Sequence, residues 1–259
     1  MSILLIDIGN TRLKWALVEN QDLNSELQFS DHGFISHQSP SNLIELCSQK
    51  SWQIDQIICS SVISIEQTQL IKTTFQEAYP AATWHLINGL ALIEKISTDY
   101  LDPIKLGSDR RAMVIAAQHL FPEKNILIVG AGTATTIDIL TSSPRHLGGW
   151  ILPGFSLMQD SLTQGTQGLR IEGLAIANQL TLGIGVDTRS AIEFGILSSQ
   201  LGAIEVAKQL AKTNGVALDL IVLSGGNAHH LLNHQSRDIK AHHEDNLVLK
   251  GLLAWHQQS

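Results

Sequence analysis

The sequence predicts an α/β protein built from two related lobes. The first observation is an internal repeat, because residues 3–17 (ILLIDIGNTRLKWAL) and residues 126–140 (ILIVGAGTATTIDIL) align without a gap, so that Gly9 meets Gly132. In each copy an apolar run of β-formers enters a short turn with glycine and a second run leaves it, which is typical of a β-hairpin. The second observation is that further strand candidates alternate with helical stretches, as in α/β lobes.

The first lobe, predicted for residues 1–120, continues after its hairpin with alternating elements. Two weaker strand candidates, 56–62 and 83–87, flank an amphipathic stretch at 65–78. Strands that alternate with helices in this way favour an α/β arrangement over an all-β one.

A helix that begins at Ser108 is predicted to close the first lobe. Residues 100–106 contain Pro103 and show no periodicity, whereas the Ser108 hydroxyl can cap the apolar stretch that follows. Residues 121–125 (FPEKN) then interrupt that helix and lead into the second hairpin. The lobe boundary is therefore predicted near residue 120.

The second lobe is predicted for residues 121–259. After its hairpin the sequence indicates a turn with a short apolar run, a helix through Leu162, a long helix with Thr188 as its cap, a buried strand and a last helix. The turn is predicted at 148–154, the long helix at 188–213, the buried strand at 220–223 and the last helix at 246–256.

Composition favours a soluble, cytoplasmic protein of 259 residues. Hydrophobic residues make up 44% and charged residues 16%, and no apolar run approaches the roughly 20 residues that span a bilayer. The N-terminal segment lacks the basic start of a signal peptide. Cys47 and Cys59 have no CxxC spacing, which indicates reduced thiols. A net charge of −7 disfavours a nucleic-acid partner.

The first hairpin carries residues that can bind a polyphosphate. Its segment 7–14 (DIGNTRLK) combines a carboxylate, a glycine turn, a threonine hydroxyl and a lysine. Backbone amides of such a turn can cradle phosphate oxygens, and Asp7 would hold Mg²⁺ through water. The alternative is an ordinary hairpin turn in which Asp7 and Asn10 only satisfy turn amides.

Several motifs in a fixed order resemble those of the type III pantothenate kinases, which belong to the acetate kinase, sugar kinase and actin superfamily. Segment 7–14 resembles their first phosphate motif, and 132–138 (GTATTID) their second. Residues 107–110 (GSDR), with Tyr100 upstream, resemble their pantothenate-binding and catalytic motif. The order is completed by 149–154, 188–192 and 224–227. The resemblance covers almost the whole chain.

This resemblance implies two actin-like (ribonuclease H-like) lobes with a cleft between them. It also implies the ATP-dependent phosphorylation of pantothenate to 4'-phosphopantothenate, the first step of coenzyme A biosynthesis. The expected ligands are ATP with Mg²⁺, pantothenate and a monovalent cation, K⁺ or NH₄⁺. A homodimer is expected, with no nucleic acid and no membrane as partner.

The resemblance also assigns site residues. Asp109 would accept the proton of the pantothenate hydroxyl, although an acid in the first turn of a helix is favoured by the helix dipole in any case. Thr188 would reach the pocket of a neighbouring subunit, and Asp138 would be a second acid for Mg²⁺. The substrate contacts are Tyr100, Gly107, Ser108, Asp109, Arg110 and Thr188. The ATP contacts are Asp7, Ile8, Gly9, Asn10, Thr11, Arg12, Leu13, Lys14 and Thr133.

One position departs from the family pattern. Many members have an aspartate three residues before the threonine of the second phosphate motif, where it helps to hold a monovalent cation, and this sequence has Gly130 there. The carboxylate that would balance the ion is missing. The sequence therefore predicts a weaker dependence on K⁺ than the family pattern implies.

Two alternatives remain at the level of sequence. The first is a kinase or phosphatase of the same superfamily for a different small molecule, against which the motif at 107–110 argues. The second is a non-catalytic regulatory or accessory protein of the same fold, for which Gly130 is the only support. A common fold cannot decide between them, because function depends on the site.

Overall fold

A computed structural model describes residues 2–19, 27–36, 39–87, 96–165, 180–235 and 238–258. The chain forms two compact units, Met1–Leu120 together with Leu247–Ser259, and Phe121–Asn246. No helix in these described residues is long and apolar enough to cross a membrane.

The first unit contains six strands and four helices in its described residues. The strands are β1 (Ser2–Ile8), β2 (Arg12–Glu19), β3 (Asp31–Ser36), β4 (Gln56–Ser61), β5 (Thr83–Leu86) and β6 (Ser97–Thr98). The α-helices are α1 (Ser41–Gln49), α2 (Ile65–Ala78), α3 (Ser108–Leu120) and α7 (Leu247–Gln258), and a 3-10 turn spans Pro103–Lys105.

The second unit contains five strands and three helices in its described residues. The strands are β7 (Ile126–Ala131), β8 (Ala134–Leu140), β9 (Arg145–Pro153), β10 (Leu220–Ser224) and β11 (Lys240–His243). The helices are α4 (Phe155–Gly165), α5 (Thr188–Thr213) and α6 (Ala228–Leu232).

The sheet of the first unit has the order β3-β2-β1-β4-β5. Strands β1, β2 and β3 form an antiparallel meander, whereas β4 runs parallel to both β1 and β5. One face packs on α1 and α2, whose Leu43, Cys47 and Phe75 are buried among the residues of β1, β2 and β4. Helices α3 and α7 pack on each other, and both contact β4.

The last helix corrects the predicted lobe limits. Residues 247–259 were predicted in the second lobe, but α7 contacts α3, β1 and β4 and so belongs to the first unit. Its apolar residues are buried there, among them Leu247, Leu249 and Leu252.

The sheet of the second unit contains the order β11-β10-β7-β8-β9. Strand β10 runs parallel to β7 and β11, and β7, β8 and β9 are antiparallel. Helices α4, α5 and α6 supply Phe155, Ile196 and Leu231 to a core that also contains Val129 and Leu223. Both units thus combine an antiparallel meander with parallel strands and covering helices, which is an α/β architecture.

Two predicted helix caps are wrong. The cap of α5 is Asp187, whose carboxylate accepts a hydrogen bond from the Ser190 amide in a capping box, while Thr188 is the first helical residue. Ser108 lies inside α3, and its hydroxyl bonds to the end of β4 instead of capping the helix.

The two hairpins are related, but their turns differ by one residue. In the first hairpin Ile8 pairs with Leu13, whereas in the second the counterpart of Ile8, Ala131, pairs with Thr135. The gapless alignment therefore fails after the turn, and the structural counterpart of Lys14 is Thr136.

Candidate active site

A row of four side chains crosses the sheet of the first unit. Asp7 on β1 pairs with Lys14 on β2 and with Ser60 on β4, and Lys14 pairs with Phe34 on β3. Directly paired residues project from the same face of a sheet. A carboxylate, an ammonium and a hydroxyl therefore lie side by side next to the turn of the first hairpin. This turn, at residues 9–12, is called the first phosphate turn.

Asp7 lies in an unusual electrostatic environment. Burial, with a smaller contribution from the negative charge of Asp109, raises the pKa of Asp7 from the ordinary 3.8 to about 7. The ammonium of Lys14 and a hydrogen bond from the Ser60 hydroxyl act in the opposite direction. Asp7 and Asp109, which are distant in sequence, therefore interact through space.

Serine hydroxyls fix the start of α3 against the end of β4. The Ser108 hydroxyl lies 3.0 Å from the Ser60 hydroxyl, accepts a hydrogen bond from the Ser61 amide at 3.0 Å and donates to the Ser61 carbonyl at 2.7 Å. Ser60 and Ser108 are buried. This network ties the helix that carries Asp109 to the strand beside Asp7.

Gly107 makes room for the Asp109 carboxylate. A Cβ atom at position 107 would lie 2.7 Å from Asp109 Oδ1, closer than such contacts allow. The same Oδ1 accepts a hydrogen bond of 2.7 Å from the Arg110 amide. Any larger residue at position 107 would displace the carboxylate.

Arg110 is buried against Tyr100. Its side chain is 2% exposed, Nη1 donates to the Tyr100 hydroxyl at 3.2 Å, and the guanidinium carbon lies 5.6 Å from the centre of the tyrosine ring. Two of the predicted substrate contacts thus support each other. The stacked ring and the hydrogen bond limit the orientations that the guanidinium can adopt.

The first phosphate turn is exposed and cationic. Asn10, Thr11 and Arg12 are exposed, and the Gly9 amide donates to the Arg12 carbonyl at 3.0 Å. The Arg12 guanidinium lies 4.6 Å from the centre of the Phe34 ring, which is itself 61% exposed. Phe34 therefore holds Arg12 by a cation–π contact.

In the second unit, three predicted motifs meet at the turn that contains Thr133. The Thr133 carbonyl accepts a hydrogen bond of 3.1 Å from the Gly154 amide, and the Ala131 carbonyl accepts one of the same length from the Asn227 amide. Thr133 is exposed. The turn lies between β7 and β8, with the end of β9 and the residues after β10 around it.

The two glycines after β10 have different roles. Gly225 has a φ of +99°, and a Cβ atom there would lie 2.5 Å from the Ala131 carbonyl oxygen, so this position requires glycine. A Cβ atom at Gly226 would have nothing within 4 Å.

Asp138 is buried, and it lies within β8 and not in the turn that contains Thr133. Its Oδ1 lies 2.7 Å from Nε2 of His146 on β9, and the two side chains are 1% and 0% exposed. These contacts disfavour the predicted role of Asp138 as a Mg²⁺ ligand, because a hydrated ion cannot reach a carboxylate that is closed off in this way.

Gly130 occupies the level of Asp7 in the second hairpin. It pairs with Thr136 on β8 and with Ser224 on β10. No carboxylate is therefore present at the level where the first hairpin has one. Among the residues that the model describes, no three His, Cys, Asp or Glu side chains cluster as a metal site.

Thr188 is exposed at the start of α5 and lines an open apolar groove of about 440 Å³ between α4 and α5. Met158, Leu162 and Ile192 form part of its walls. The segment before α5 also exposes apolar side chains, with Ile184 and Val186 both 91% exposed.

The structure brings together some of the predicted site residues. In the first unit it joins Asp7, Lys14 and Asp109 in one place, and Arg110 with Tyr100. Thr133 and Thr188 belong to the second unit. Sequence reasoning missed Ser60, Ser61, Phe34 and His146. Ser60 and Ser61 end a predicted strand, and small polar residues at that edge were a usable signal.

Structural comparison supports the predicted actin-like fold. The chain is similar to a Listeria monocytogenes protein described as an N-acetylmannosamine kinase, with a TM-score of 0.53, 11% identity and coverage of 100% and 99% of the two chains. It is also similar to a Campylobacter jejuni protein described as a Baf family transcriptional activator, with a TM-score of 0.61, 20% identity and 98% coverage of both. At these identities the likeness shows the fold alone.

Sequence comparison gives the family. The model of the type III pantothenate kinases matches residues 3–209. A protein of Janthinobacterium sp. (strain Marseille) with that name is 34% identical over 257 residues, covering 96% of this chain and 95% of the relative. The chain belongs to the type III pantothenate kinase family, and it is a kinase.

Proposed function

We propose that this protein transfers the γ-phosphoryl group of ATP to the primary hydroxyl of pantothenate, giving 4'-phosphopantothenate in the first step of coenzyme A biosynthesis. The observation that carries the proposal is that the charge of Asp109, at the start of α3, acts on Asp7. Phosphoryl transfer needs a group to accept the alcohol proton and a site for the cation that accompanies ATP, and this pair offers both.

Asp109 is the proton acceptor. As the pantothenate oxygen attacks the γ-phosphorus, its proton passes to the Asp109 carboxylate, the bond between the γ-phosphorus and the bridging oxygen breaks, and ADP leaves. The Gly107 backbone leaves room for Asp109, and Ser108 fixes the helix that carries it. Arg110, held by Tyr100, binds pantothenate or the transferring phosphoryl group.

The residues proposed to bind ATP belong to two motifs. Segment 7–14 offers turn amides, the Thr11 hydroxyl and the cations Arg12 and Lys14, and Thr133 contributes from the second hairpin. The carboxylate of Asp7 suits Mg²⁺, a hard cation that prefers oxygen ligands, and the negative charge of nearby Asp109 favours a cation there. When bound, Mg²⁺ neutralises charge on the phosphates.

The monovalent cation is the point at which this chain departs from its family. Gly130 offers no carboxylate to balance K⁺ or NH₄⁺, so we expect activity to depend less on these ions than the family pattern implies. A steep activation by K⁺ would contradict this part of the proposal.

The protein acts as a homodimer in the cytoplasm. Thr188 lines an open apolar groove and follows exposed Ile184 and Val186, and such contiguous apolar surface is typical of an interface. Cys47 and Cys59 are free and buried, which suits a reducing compartment. Light scattering of Ile184→Glu should report a monomer if this face forms the dimer.

A coupled assay of ADP release with ATP, Mg²⁺ and pantothenate tests the function. It should be run separately in Na⁺, K⁺ and NH₄⁺, and turnover that requires pantothenate is the expected result in all three. Absence of turnover in every salt, with a folded protein, would favour a non-catalytic role.

A further inference from the structure

Gln200 is a buried polar side chain on α5 of the second unit. It is 0% exposed, and it lies one helical turn from Ile196 and from Ile204, which belong to the apolar core. Its Nε2 donates to the Pro153 carbonyl at 2.9 Å and lies 3.5 Å from the sulfur of Met158. Its Oε1 is buried and has no hydrogen-bond partner in the part of the chain that the structure describes.

This half-paired amide is an unfavourable choice for a position that only needs to be filled. A buried amide oxygen without a partner destabilises the folded state. An unbranched apolar side chain of similar length, such as methionine, would fill the same space without that cost. The hydrogen bond from Nε2 to the Pro153 carbonyl is a contact that an apolar side chain cannot supply. The role of Gln200 therefore depends on what Pro153 holds.

Pro153 ends β9 directly beside the turn that contains Thr133. It pairs with Ala134, the first residue of β8. The next residue, Gly154, donates its amide hydrogen to the Thr133 carbonyl at 3.1 Å. A Cβ atom at position 154 would collide with the carbonyl oxygens of Thr133 and Gly132, so the two backbones are in close contact. The end of β9 therefore sets the position of the turn.

We propose that Gln200 is a positioning residue for nucleotide binding. Through the end of β9 it holds the turn that presents Thr133 to the phosphates of ATP. The inference rests on the proposed function, from which it takes the role of Thr133. Every contact in this chain of bonds lies within the second unit, and α5 is a firm base for it because its apolar face is buried.

The test is the binding of ATP with Mg²⁺ to Gln200→Met, measured by calorimetry without an acceptor. Methionine keeps the length of the side chain but removes the donor. We expect the Kd for ATP to rise about 5-fold, as for the loss of one hydrogen bond of average strength. In turnover the KM for ATP should rise by the same factor, whereas kcat and the KM for pantothenate should change by less than about 2-fold.

Leu197→Met is the matched control. Leu197 is also 0% exposed on α5, and its replacement alters the packing of the same helix but removes no side-chain hydrogen bond. Its Kd for ATP should stay within about 2-fold of the wild-type value. An unchanged Kd in Gln200→Met would overturn the inference. An equal rise in both variants would also overturn it, because packing of α5 would then explain the effect.

Amide exchange of the wild type decides the question if Gln200→Met does not fold. Because the Gly154 amide is bonded to the turn, ATP with Mg²⁺ should slow its exchange roughly 3-fold or more. Unchanged exchange at this amide would overturn the inference.

The outcome for the acceptor is separate. Normal binding of ATP without phosphorylation of pantothenate would refute the proposed function and leave the role of Gln200 in nucleotide binding intact. Absence of ATP binding by the wild type would refute both.

Discussion

The two hairpins share a backbone design but differ in charge. In the first, Asp7 faces Lys14 beside a cationic turn, whereas in the second Gly130 faces Thr136 beside a turn one residue shorter. Both can offer amides and hydroxyls to phosphate oxygens. Only the first adds a carboxylate, Asp7, that interacts with Asp109, the proposed proton acceptor. A structural repeat therefore need not repeat its charged side chains. Here the paired carboxylate and ammonium, Asp7 and Lys14, lie in the first hairpin.

The largest expected effect is loss of the proton acceptor. Asp109→Asn should lower kcat by roughly 10²–10⁴, the usual contribution of general acid–base catalysis. ATP binding should change little, as measured by calorimetry. Asp102→Asn is the control, because it keeps a side-chain cap on the 3-10 turn of the same loop. Unchanged turnover in Asp109→Asn would remove the assignment.

Removal of the Asp7 carboxylate should lower activity but raise the stability of the folded protein. Asp7→Asn should lower kcat by about 10² or more, since it removes an electrostatic element of the site. It should also stabilise the free protein at pH 8. The folded pKa of about 7 exceeds the ordinary 3.8, so the folded state holds the proton more tightly, and unfolding free energy falls as pH rises from about 4 to 7.

The gain at pH 8 has an upper limit of about 4 kcal/mol, from 1.36 kcal/mol per pKa unit. Near pH 4 it should vanish. Thermal unfolding without nucleotide or Mg²⁺ measures both values. Asp31→Asn, at an exposed carboxylate on β3, should change neither. If Asp7→Asn is less stable than the wild type at pH 8, the ionised Asp7 carboxylate does not destabilise the folded protein.

The second unit should respond to pH with the opposite sign. Burial, together with the positive charges of His229 and His234, lowers the pKa of His230 to about 4. The unfolded state therefore binds the proton more readily, so stability is complete above pH 6.5 and is lost as pH falls towards 4, by about 1–3 kcal/mol. His230→Gln should flatten this slope. His32→Gln, at an exposed site of the first unit, should not.

A restored acid in the second hairpin tests why it differs from the first. Gly130→Asp places a carboxylate at the level of Asp7, and we expect replacement of Na⁺ by K⁺ to raise its kcat/KM roughly 3–10-fold, because the new charge can balance the ion. The wild type should show a smaller response. Gly202→Asp adds the same charge at an open position of α5 and serves as control. Equal responses of all three proteins would exclude position 130 from cation binding.

The smallest expected effect concerns the support of the cationic turn. Phe34→Ala should raise KM for ATP about 2–5-fold, since an exposed cation–π contact contributes about 0.5–1 kcal/mol. Phe34→Trp should keep the wild-type value. Leu70→Ala removes another exposed apolar side chain, 68% exposed on α2, and should be silent. If Phe34→Ala causes no further change in the KM for ATP in a protein that already carries Arg12→Ala, the two residues act together.

Local patterns predicted several elements well. Helices α2 and α5 have the predicted bounds, because their periodicity and polar starts are written in consecutive residues. The cap of α5 was missed because Asp187 and Thr188 are both good capping residues, and only the backbone decides between them. The apolar residues of α7 predicted burial, but sequence does not say against which lobe a helix packs.

The sequence predicted the site residues that belong to local motifs. It missed the contacts that depend on how distant strands and helices are aligned in the fold. The contact between Ser60 and Ser108 joins residues 48 positions apart, which no local pattern indicates. Asp138 is likewise placed by the register of β8, which a local motif does not give. It lies at the level that buried Leu5 and Ala16 fill in the first hairpin, and so it is enclosed.

The return of α7 to the first unit has a consequence for synthesis on the ribosome. The second unit is continuous and can fold once residue 246 has emerged, as domains generally fold as units. The first unit, although translated earlier, waits for α7 to cover β1, β4 and α3. We therefore expect the surface of the first unit that α7 covers to stay exposed until residues 247–258 have emerged.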